Sequence, residues 1–85
     1  MPVTDLPDQV RAEVARAFME HKSALGLLQA SDEVILDRAG DILAVLLDAA
    51  DEALELRSAH WFRRYAWFVD LIKRLGEGRL KRLVG

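Results

Sequence analysis

Both prolines of this chain, Pro2 and Pro7, fall within its first seven residues, so from Asp8 onward no imino acid forces the backbone out of a helix. Helix-forming residues dominate that long stretch. Its apolar positions recur at spacings of three and four, with almost no period-two alternation. The predicted fold class is all-α.

The 85 residues, 52% of them apolar, suit a single helical domain spanning 1–85 with one core. With no cysteine, neither a disulfide framework nor a thiolate metal site is available, which agrees with a reducing compartment. Asp5 and Asp8 stand where a secretory signal would carry basic residues. The longest apolar run, Ile42 to Leu47, is far shorter than the roughly 20 residues of a membrane span. A cytoplasmic protein is expected.

Three helices can be placed, over about 6–29, 32–56 and 59–75, followed by a basic tail at 76–85. The first takes Asp5 as its N-cap, with Pro7 and Asp8 in the first turn, where a missing N–H costs nothing and a carboxylate meets the positive helix end. Val10, Val14, Ala17, His21, Ala24 and Leu28 form its apolar seam, and Gly26 supplies a left-handed ending. Ser31, followed by Asp32 and Glu33, caps the second helix. That helix has two apolar stripes, one through Ile35, Ala39, Ile42 and Leu46 and one through Leu36, Leu43, Leu47 and Leu54. Asp37, Asp41, Asp48, Asp51, Glu52 and Glu55 make a ridge on its other side, expected to be solvated rather than metal-binding.

Ser58 is the one mild break before the third helix. A turn at Arg57 to Ala59 gives a three-helix bundle. The alternative is a helical hairpin with one long C-terminal helix, dimerising like a coiled coil. In either case the glycines at Gly76 and Gly78 end the last helix.

Five of the six aromatic residues lie between Ser58 and Leu75. On a continuous helix Trp61, Tyr65, Phe68, Ile72 and Leu75 share a core stripe, whereas Trp67 falls between Arg63 and Arg74 on the face that meets water. A tryptophan set among arginines fits a binding anchor or local stacking, and the candidate partner-binding residues are Trp67, Arg63, Arg64, Arg74 and His60. Arg64 also fits a stem packed along the core with its guanidinium reaching water. His21, in the middle of the first seam, is expected to be a neutral imidazole with a hydrogen-bond partner.

Charge divides along the chain, with four basic and twelve acidic side chains in 1–56 and eight basic and two acidic in 57–85. The leading expectation is a non-enzymatic protein–protein interaction module, a small adaptor, inhibitor or regulator that forms a homodimer, because the second and third helices carry more apolar surface than one copy can cover. The alternative is nucleic-acid binding through a basic patch that includes Lys73, Arg79, Lys81 and Arg82. Attachment to an anionic membrane surface is a third reading. No phosphate-binding loop, metal-ligand spacing or nucleophile setting is present, so no enzyme, cofactor or metal is expected.

Overall fold

The computed structural model describes residues 6–76. Among them the backbone is helical in six segments: α1 (Asp8–Glu20), α2 (Lys22–Leu25), α3 (Asp32–Asp37), α4 (Ala39–Glu55), α5 (Ala59–Arg64) and α6 (Ala66–Leu75). The all-α expectation holds. The three continuous helices do not, because each is broken once, at His21, Arg38 and Tyr65.

None of the three breaks is a glycine or proline. Their φ/ψ values are −127/35°, −101/12° and −109/30°, at or near the sparsely populated bridge between helix and strand. Hydrogen bonding accounts for them. His21 Nδ1 donates to the Ala17 carbonyl at 2.8 Å, the acceptor that its own amide would use in an intact helix, and that amide donates to Phe18 instead. At the α3 end, Arg11 of α1 donates to the carbonyls of Leu36 and Asp37, each at 3.0 Å. Tyr65 Oη donates to the Ala24 carbonyl at 3.1 Å, tying the α5–α6 break to the end of α2.

The caps follow the sequence more closely. Ser31 Oγ accepts the Val34 amide and Ser58 Oγ accepts the Trp61 amide, both at 3.2 Å. Asp5, the expected first cap, lies outside the described residues, and Pro7 precedes α1 without a side-chain cap. Gly26, at φ 69°, ends α2 with paired bonds from the Gly26 amide to Ser23 and from the Leu27 amide to Lys22. Lys22 Nζ then holds the following loop, donating to the Ala30 carbonyl at 2.9 Å and pairing with Asp32 at 3.1 Å.

The same paired ending closes α4, where the Arg57 amide reaches Leu54 and the Ser58 amide reaches Ala53. Here an arginine, φ 52°, occupies the left-handed position. This turn overturns the long C-terminal helix and makes α4 and α5 a hairpin. A side chain at positive φ costs about 1–2 kcal/mol, part of which a glycine returns through its freer unfolded state. Arg57 is exposed, so Arg57→Gly is expected to stabilise the protein by about 0.5–1 kcal/mol, read as a higher urea midpoint at unchanged slope.

The core lies where α1 crosses α3, α4 and α6. Phe18 and Phe68 are its largest buried rings, set among Val14, Ile35, Leu43 and Leu71. Val10, Val14 and Ala17 are buried as the α1 seam requires, joined by Ala15 and Phe18. Leu28, assigned to that seam, is 69% exposed because the helix ends at Gly26 before reaching it. Leu54 is likewise exposed rather than core.

Candidate functional site: an apolar groove beside α4

α4 carries apolar side chains around more than half its circumference, more than α1, α3 and α5 cover. Leu43 and Leu47 are buried, while Ile42, Val45 and Ala49 face an open groove of about 490 Å³. Leu25 and Leu27 close one end. Trp61 and Tyr65 form the facing wall, and Arg38 and Asp41 stand at the rim. Val45, 67% exposed, projects from the middle of the α4 wall. The stripe continues at spacings of four and three to Leu56, 70% exposed at the end of the helix.

The aromatic wall is braced. Trp61 stacks on Tyr65 at 4.7 Å between centroids, with Phe62 edge-on to Trp61 at 5.0 Å. The Arg64 guanidinium donates to the Ala24 carbonyl at 3.4 Å and sits 5.8 Å from the Tyr65 ring centroid, so it is held by its own fold rather than reaching the acidic ridge. On the other flank of the α4–α5 hairpin a smaller cleft of about 230 Å³ runs between Leu47, Leu54, Phe62 and Val69.

Trp67 departs from its expected place. It is half-buried, with its indole parallel to the His21 imidazole at 4.1 Å and 6°, and edge-on to Phe18 and Phe68. Within α6 the buried face includes Leu71, 0% exposed, and Trp67 lies one turn before it, on the edge of that face that meets the end of α1. Trp67 therefore joins α6 to the end of α1, half-buried rather than standing on the water-facing side. Its indole N–H is buried without an acceptor among the described residues. His21 has the hydrogen bond expected of it.

The other candidate residues do not assemble into one patch. His60 and Arg63 are exposed on α5. Lys73 and Arg74 share a shallow depression with Trp67 on the α1–α6 face, where Arg74 also pairs with Glu13 at 3.6 Å. Arg79, Lys81 and Arg82, with Gly78, lie outside the described residues. Trp61, assigned to the core from its stripe, is the tryptophan that lines the groove.

The six acidic side chains of the ridge are all exposed, and no group of three or more potential ligands among the described residues could hold a metal ion. No helix among the described residues is long and apolar enough to cross a membrane. No family model matches the chain, and no match emerges among curated proteins or solved structures.

Proposed function

We propose that this chain is a protein–protein interaction module that works without catalysis, by docking another polypeptide in the groove between α4 and the Trp61–Tyr65 wall. The observation that carries the reading is Val45, an apolar side chain standing in solvent at the centre of a groove walled by leucine, isoleucine and tryptophan. Grooves of this shape take an amphipathic helix by burying its apolar side, and rigid aromatic rings contribute most to such contacts. An adaptor or inhibitor of this kind acts by occupying its partner's surface. Nucleic-acid binding has less support, because the exposed carboxylates of Asp41, Asp48 and Glu52 along the same groove would repel phosphate.

Val45→Asp tests this directly. It places a carboxylate where a docked chain would desolvate it, while leaving the buried core side chains untouched. Chemical cross-linking in the source cells, followed by mass spectrometry, should show at least a tenfold loss of cross-linked polypeptides, self-products included, at unchanged helicity. Equal yields from the two proteins would remove the groove as the docking site.

A further inference from the structure

We infer that the polypeptide filling this groove is a second copy of the chain, related by a two-fold axis that runs along α4; this deepens the docking reading and rests on it. Beyond Arg38 at the start of α4, the two walls carry opposite charge. On the α4 side, steps of 100° place Glu52, Asp41 and Asp48 successively outside Val45, all exposed and forming no ion pair among the described residues. On the α5 side, Arg64 lies just outside Trp61 and Tyr65, fixed there by its contacts with the Tyr65 ring and the Ala24 carbonyl, with His60 beyond it.

A partner helix bearing one charge would gain at one wall and lose at the other. The chain itself carries the distribution that satisfies both. Rotation by 180° about an axis along the groove exchanges the walls, setting the acidic α4 edge of each copy over the Arg64 edge of the other. Rotation about an axis across the groove would instead set acid on acid and base on base. Charge thus selects one of the two symmetric dockings. In that arrangement two α4–α5 hairpins meet face to face as a four-helix layer, and Ile42, Val45, Ala49 and Trp61 of both copies become its interior.

The test is solution mass by sedimentation equilibrium on the full chain. Wild type should have twice the 9.6 kDa monomer mass. Reversing the acidic wall with Asp48→Lys and Glu52→Lys, or the basic wall with Arg64→Glu and His60→Glu, should weaken self-association at least tenfold, since like charges then face each other. An equimolar mixture of the two variants should restore a dimer, as should a single chain carrying all four changes. Helicity by circular dichroism accompanies each sample; should a reversal unfold the chain, the milder Glu52→Gln and Arg64→Gln pair is used, and each should weaken the dimer two- to fivefold. Mixed variants that associate no better than either alone would overturn the proposed axis. A wild type that stays monomeric but keeps Val45-dependent cross-links to another protein would overturn the second copy and leave the docking groove standing. A monomer whose cross-links ignore Val45 would overturn both.

Discussion

Replacing Phe18 with alanine should cost about 3–5 kcal/mol, a large part of what holds a small domain folded. The side chain is 0% exposed, at the point where α1 meets the rest of the bundle. Its removal would leave a ring-sized void among side chains that are themselves fully buried, including Val14, Ile35 and Leu43, and a tightly packed site collapses only partly into such a space. Domains of this kind have total stabilities of about 5–15 kcal/mol, smaller ones toward the low end, so this one change removes a large share. Urea denaturation followed at 222 nm would show the loss as a shifted or incomplete transition. Phe18→Leu, which keeps most of the volume, should cost less than about 1.5 kcal/mol. A Phe18→Ala cost below about 1 kcal/mol would mean that α1 does not pack as described.

Trp67→Ala is the second large effect, at about 3 kcal/mol. It removes the ring that stacks on His21 and touches both core phenylalanines. Trp67→Phe should behave very differently, within about 1 kcal/mol of wild type, because it keeps an aromatic ring and deletes an indole N–H that has no acceptor to lose. The pair separates two roles. A structural tryptophan loses stability in proportion to ring volume and leaves docking unchanged at temperatures where the variant is folded. A binding anchor would lose its partner with the fold intact. Stability curves and cross-linking yields on the same two variants decide the matter.

What could be read in the sequence follows from the distance over which each cause acts. Ser31 and Ser58 were legible as caps because the amide each accepts is three residues away, and Gly26 because positive φ favours glycine almost alone. The breaks at Arg38 and Tyr65 were not legible. Arg11 reaches Leu36 and Asp37 across 25 and 26 residues, and Tyr65 reaches Ala24 across 41, contacts that no local propensity encodes. The His21 break is local, yet an imidazole at that position reads equally well as a member of the apolar seam.

The site shows the same division. The surplus of apolar surface on α4 was visible from its two stripes, and Val45 and Leu56 are where it reaches solvent. Which tryptophan stands beside that surface depended on α5 packing against α4 while α6 packs against α1. A helical wheel exposes Trp67 and buries Trp61; the packed helices place Trp61 on the groove and Trp67 against α1.

The breaks also bear on how the protein holds together. Among the described residues α1 has 13 residues and α4 has 17, while the other four segments have between 4 and 10. Isolated helices shorter than about 12–15 residues are marginal in water even with favourable sequences. The short segments therefore borrow their order from α1 and α4, and a protease nick in the loop from Gly26 to Ala30 would leave only packing contacts to hold α1 and α2 to the rest.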